Sequence, residues 1–201
     1  MFENTKNHFR KIPEWFFYLG FNEMKKLKLE ELGRISVEEF KKAGKIPVVV
    51  VLDNIRSMYN IGSVFRTSDA FLVEKIYLCG ITATPPHKEI RKTALGATES
   101  VEWEYIKEIN ELIKKLKSEQ FKIISVEQAE GSRKLSEFIF NPNEKYAVIF
   151  GNEVEGVQQS VINQSDACIE IPQGGTKHSL NVSVCTGIVL WEMFKNLEFR
   201  I

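Results

Sequence analysis

Cysteine and net charge are both scarce in this chain of 201 residues. Its three cysteines, Cys79, Cys168 and Cys185, lie far apart in apolar surroundings, with no C-x-x-C spacing and no His pair nearby. This excludes a disulfide framework and a zinc site of ordinary spacing, and no metal is expected. The thiols read as buried, reduced side chains of a cytoplasmic protein. Lys and Arg number 27 and so do Asp and Glu, which excludes a strongly basic nucleic-acid sleeve but leaves room for a local basic patch. Long apolar runs are missing too. "WFFYLGF" at 15–21 is too short to cross a bilayer, and the polar segment before it is not a signal sequence, so no membrane role is expected. There is no internal repeat and no low-complexity tract. No G-x-G-x-x-G follows the first strand-like run, so the fingerprint of a nucleotide-dependent oxidoreductase is absent.

What is present divides into two stretches. Residues 1–45 read as a helical N-terminal extension that leans basic. "PEWFFYLGFNEMKKLKLEEL" has apolar residues at helical spacing, and "SVEEFKKAG" opens with Ser36 and Glu39 in capping-box register and closes at Gly44 before Pro47. Lys25, Lys26, Lys28, Lys41, Lys42 and Lys45 form either a solvated helix face or phosphate contacts.

Residues 46–201 alternate strand and helix. "IPVVVVLDN" is a continuous β-branched run of the kind buried on both faces of a parallel sheet. It is followed by the helix "IGSVFRTSDAFL", the strand "EKIYLCG", the helix "IKEINELIKKLKSEQ" and the strands "FKIISV" and "KYAVIF". The short helix "VQQSVINQS", the strand "DACIEIP" and a last helix from about Ser179 complete it. The pattern predicts an α/β fold on a mostly parallel sheet.

Ligands of such sheets gather beyond the carboxyl ends of the strands, and three polar clusters fall there: "DNIRSMYN", "GNEVEG" and "QGGTKHS". In the first, Asn54, Arg56 and Asn60 crowd the loop before a helix. Arg66 further along interrupts an apolar pattern, at a cost unless its guanidinium meets a carboxylate or phosphate; a surface-pointing arginine is the other reading. In the second, Gly151 and Gly156 permit tight turns around Asn152 and Glu153. In the third, Ser179 suits a helix cap, yet a cap explains neither Asn181 nor the loop "QGGTKH" before it. The last helix is apolar on nearly all sides and belongs in the core or at a subunit interface. Lys88, Arg91 and Lys92, beside two prolines, form a basic patch suited to phosphates or a packing loop.

The ordered set "N-x-G-S-V-F-R-T" (60–67), "FGNEVEGV" (150–157) and "IPQGGTKHSLNVSV" (171–184) resembles the three motifs of the SpoU, or TrmH, family of RNA 2'-O-ribose methyltransferases. The resemblance spans about residues 46–196 and implies a SPOUT fold. In that fold the C-terminal part of the sheet is threaded into a deep trefoil knot, against the usual rule that chains are unknotted. It further implies S-adenosylmethionine as cofactor, a homodimer, and tRNA or rRNA as substrate, with the short basic N-terminus favouring tRNA. Carried over by motif, Asn60, Arg66, Glu153, Ser179 and Asn181 make the catalytic set. Gly151, Gly156, Ile171, Pro172 and Leu180 wall the cofactor, with Val126 and Glu127 as a further wall. Arg56, Lys88, Arg91, Lys92 and His178 are the RNA-binding candidates. His178 departs from many relatives and reads as an exposed loop residue, an RNA contact or a proton carrier. The alternative function is a knotted RNA-binding protein without turnover.

Overall fold

The computed structural model describes residues 24–197. The chain divides into two units, Met1–Ile35 and Ser36–Ile201. Most of the first expected helix lies outside the described residues. Its described end departs from expectation: residues 24–28 have no helical structure and Leu29–Leu32 is a single 3₁₀ turn closed by Gly33 at φ +59°.

In the second unit, α1 (Val37–Lys42) starts at Ser36, whose hydroxyl accepts from the Glu39 N–H while Glu39 returns to the Ser36 N–H. This is the capping box expected from the spacing. Phe40 of α1 is buried in the core of this unit, so residues 36–45 pack with the sheet.

The sheet has seven strands: β1 (Ile46–Asp53), β2 (Val73–Cys79), β3 (Glu102–Ile106), β4 (Phe121–Val126), β5 (Arg133–Lys134), β6 (Lys145–Phe150) and β7 (Ala167–Glu170). Their order is β3-β2-β1-β6-β4-β7-β5, and every pairing is parallel. Alternation along β1 assigns its residues to two layers. Val48, Val50 and Leu52 face α2 (Met58–Ala70), α3 (Lys88–Ala94) and α7 (Val182–Asn196). Val49 and Val51 face α5 (Ile109–Ser118) and α6 (Gln159–Ile162). Both faces are therefore covered, as parallel sheets require, and each fully buried aliphatic side chain contributes roughly 1.5–3 kcal/mol. The short helix α4 (Ala97–Ser100) leads into β3.

In α2 the buried residues are Ile61, Gly62, Val64, Phe65 and Ser68, which is one face at helical spacing. Arg66 falls off that face and is exposed, which corrects the reading of an arginine set among apolar neighbours.

The strands β1, β6, β4 and β7 are consecutive across the sheet. Being parallel, they deliver four loops to one edge. The early strands β1, β2 and β3 spread to one side and the later ones to the other, so the order switches between β1 and β6, where ligand sites of such sheets form.

Candidate functional site

The site begins with a helix end. The side chain of Ser57 caps α2, its Oγ accepting from the Asn60 N–H at 3.3 Å. The Glu153 carboxylate, on the turn after β6, takes two more free donors, the N–H groups of Arg56 and Ser57, each at 3.0 Å. A carboxylate there also meets the positive end of the helix dipole. Burial pushes the Glu153 carboxyl up. The N–H groups of Arg56, Ser57 and Glu153 itself, with the Asn60 amide, outweigh burial and hold it below the usual carboxylate value.

An ionised carboxylate only accepts, and this fixes the next link. Glu153 Oε1 accepts from Asn60 Nδ2 at 3.2 Å, and Asn60 Oδ1 accepts from Asn181 Nδ2 at 3.0 Å. Asn181 Oδ1 accepts in turn from the N–H groups of Ser183 and Val184. A continuous chain of hydrogen bonds thus joins the start of α2 to the start of α7 through three of the five expected catalytic residues. It also corrects the cap: Asn181, not Ser179, caps α7, which starts at Val182. Replacing Asn181 by Ala is expected to cost about 1 kcal/mol in urea unfolding, whereas Ser179→Ala leaves the midpoint unchanged; equal losses would contradict the assignment.

Behind this rim lies a cavity of about 440 Å³, within the range of small-molecule sites. Val126, Glu127, Gly151, Gly156, Ile171 and Leu180 line it, as do Glu153, Ser179, Asn181 and His178. Two glycines set its wall. A Cβ on Gly151 would sit 2.2 Å from the carbonyl carbon and oxygen of Gly156, and one on Gly156, at φ +69°, would sit 2.1 Å from Glu127 Oε2. Glu127 ties the end of β4 to this turn, Oε2 accepting from the Val157 N–H at 2.9 Å. Gln128 Nε2 donates to the His178 carbonyl at 2.7 Å, so β4 also holds the loop after β7.

Some expected residues lie elsewhere. Pro172 is exposed and does not line the cavity, although Ile171 beside it does. Arg66 is exposed on α2 and outside the cavity lining. Arg56 contributes its N–H to Glu153 while its side chain is exposed. Lys88, Arg91 and Lys92 come together with Pro86 and His87 around a separate depression of about 420 Å³.

Sequence reasoning missed the cavity residues Gln128, Glu170 and Cys185, and it included Gln173 in a polar cluster without giving it a role. Glu170 and Gln173 flank Ile171 and Pro172, so that motif pointed at their neighbourhood. Burial pushes the Cys185 thiol up to about 11, aided by the charge of Glu127, so it stays protonated and is no nucleophile near neutral pH. Among the described residues no group of three or more His, Cys, Asp or Glu side chains is placed to hold a metal, and no helix is long and apolar enough to cross a membrane.

A fully parallel sheet with a ligand-sized cavity beyond three adjacent strand ends, those of β6, β4 and β7, places the molecule among the doubly wound α/β proteins. Within that class the chain belongs to the SpoU rRNA Methylase family, whose model matches residues 47–191. It is 30% identical over 157 residues to the tRNA (guanosine(18)-2'-O)-methyltransferase of Aquifex aeolicus, covering 75% of this chain and 70% of the relative. The structure of a TrmH/SpoU tRNA modifying enzyme from A. aeolicus superposes with a TM-score of 0.71 at 27% identity, covering 81% of this chain and 80% of that one. An AdoMet-bound rRNA methyltransferase from Sinorhizobium meliloti shares the fold at TM-score 0.70 and 24% identity; the match covers 78% of this chain and 59% of that one.

Proposed function

We propose that this protein transfers a methyl group from S-adenosylmethionine to a ribose 2'-hydroxyl in tRNA or rRNA. The observation that carries the reading is the Glu153–Asn60–Asn181 hydrogen-bond chain at the mouth of the cavity, in a chain of the SpoU family. The A. aeolicus relative's name specifies 2'-O transfer to a tRNA guanosine.

The cavity fits S-adenosylmethionine by its chemistry. Val126, Ile171 and Leu180 supply apolar wall for an adenine, Gly151 and Gly156 bring backbone close, and Glu127 and Glu170 present carboxylates to a cationic ligand. When bound, the cofactor supplies a methyl group already activated on a sulfonium, so the remaining work is alignment and proton removal. Glu153 holds the Asn60 amide in one orientation, and Asn60 with Asn181 and Ser179 positions the ribose. A guanidinium stays protonated, which suits Arg66 to the 3'-phosphate or to charge developing on the 2'-oxygen, the proton leaving through phosphate or water. Arg66→Lys is expected to lower the transfer rate by about tenfold; an unaltered rate and pH profile would remove any special role for the guanidinium.

Three further features complete the proposal. The C-terminal segment is threaded as a trefoil knot, a reading supported by β7 lying between β4 and β5 and by the Gln128 bridge to the loop after β7. The protein works as a homodimer, supported by the exposed stripe Val184, Ile188 and Trp191 along α7, spaced as one helical face. It resides in the cytoplasm, in keeping with three free thiols.

The test is incubation with tritiated S-adenosylmethionine and, separately, tRNA and rRNA from a host lacking the protein, followed by digestion to nucleosides. A labelled 2'-O-methyl nucleoside is the expected product and identifies the RNA. Labelled base would overturn the ribose assignment, and cofactor binding without transfer would favour the binding-only alternative.

A further inference from the structure

Tyr59 precedes Asn60 on α2, and its side chain is left outside the rim, 44% exposed. Its backbone is nonetheless pinned. The Tyr59 carbonyl accepts from Thr93 Oγ1 at 2.9 Å. Gly62, one turn later, lets α3 press against α2 so closely that a Cβ there would lie 2.2 Å from Thr93 Oγ1 and 2.3 Å from the Ile90 carbonyl oxygen. This packing brings Lys92 of α3 to the ring, its Nζ 5.9 Å from the centroid, within reach of cation–π attraction.

The ring is thus next in the chain to Asn60 and within reach of Lys92, which lines the basic depression with Lys88 and Arg91. Among the described residues none of these three has an ion-pair partner, so their charge is free for an anionic ligand. An aromatic face flanked by uncompensated cations is the combination that holds single-stranded nucleic acid, bases on the ring and phosphates on the cations. Proteins that read duplex RNA rely instead on phosphate and 2'-hydroxyl contacts across the minor groove and have no use for a stacking platform.

We infer that Tyr59 stacks an unpaired nucleobase next to the methylated nucleotide while Arg91 and Lys92 hold the flanking phosphates. The inference rests on the RNA reading above and adds to it a base-stacking residue outside the cavity.

The test is fluorescence anisotropy with two probes, a fluorescein-labelled RNA stem-loop and the same stem closed as a blunt duplex, using the wild type, Tyr59→Ala and Tyr59→Trp. The wild type is expected to prefer the stem-loop. Tyr59→Ala weakens stem-loop binding by about tenfold and leaves duplex binding unchanged, and Tyr59→Trp retains the preference. Three results would overturn the inference: Tyr59→Ala keeping the wild-type preference, Ala and Trp losing binding equally, or a wild type with no preference. If the wild type binds neither probe, the RNA reading itself fails and this inference with it.

Discussion

Gly151→Ala is expected to abolish cofactor binding and to lower stability by roughly 3 kcal/mol. The methyl group would meet main chain rather than a movable side chain, at 2.2 Å from the Gly156 carbonyl. Relief requires opening the turn that the Asn152–Gly156 bridge closes, with N···O distances of 3.1 and 2.9 Å. That turn also receives Glu127 through the Val157 N–H, so its displacement moves two cavity walls together. The check is calorimetric titration with S-adenosylmethionine beside a denaturant melt. A variant that binds the cofactor as the wild type does would show that the backbone approach has no part in forming the cavity.

Glu153→Gln is expected to reduce methyl transfer by about a hundredfold, the scale seen when one pre-organised polar group is removed from a reaction site. A glutamine at 153 can turn an NH₂ toward the N–H groups of Arg56 and Ser57, and its single carbonyl cannot serve both of them and the Asn60 amide. Asn60 is then free to rotate and the link to Asn181 is lost. The reduction is expected in kcat with little change in cofactor affinity.

The same variant reports on pH. The folded-state pKa of Glu153 lies below its unfolded value, so its stabilisation is present above the unfolded pKa and fades as pH falls through the folded one. Wild-type thermal stability should therefore fall toward that of Glu153→Gln on acidification through the carboxylate range. A gap between the two that stays constant with pH would mean that the charge does not anchor α2.

Legibility in the sequence followed burial. The run "IPVVVVLD" announced β1 because both of its faces are covered, and "KYAVIF" announced β6 for the same reason. The edge strand β3, "EWEYI", was missed: it is only partly buried, and its alternating charge reads as loop. Two-residue β5 has no sequence signal, since it exists only through its pairing with β7. The start of α2 at Met58 was placed too late because the capping Ser57 sits inside a polar cluster that looked wholly functional. Ser179 and Asn181 are both good cap residues, and only the contacts Asn181 makes with Asn60 and α7 separate them. Motif order identified most of the cavity lining, whereas Tyr59 and Glu170 needed geometry, because an isolated aromatic or acidic residue in a sequence has no period to betray it.

The hydrogen bonds that assemble the rim connect residues very distant along the chain: Arg56 to Glu153 spans 97 positions and Asn60 to Asn181 spans 121. Loop closure over such lengths must precede any reward from the contact, which makes folds of this kind slow to form. During synthesis α2 emerges long before its carboxylate anchor and longer still before Asn181. A nascent chain can thus bury much of β1 and β2 while having no reaction site at all. Activity is therefore expected to be the last property this protein acquires, and recovery of methyl transfer after dilution from denaturant should lag the return of helical circular dichroism.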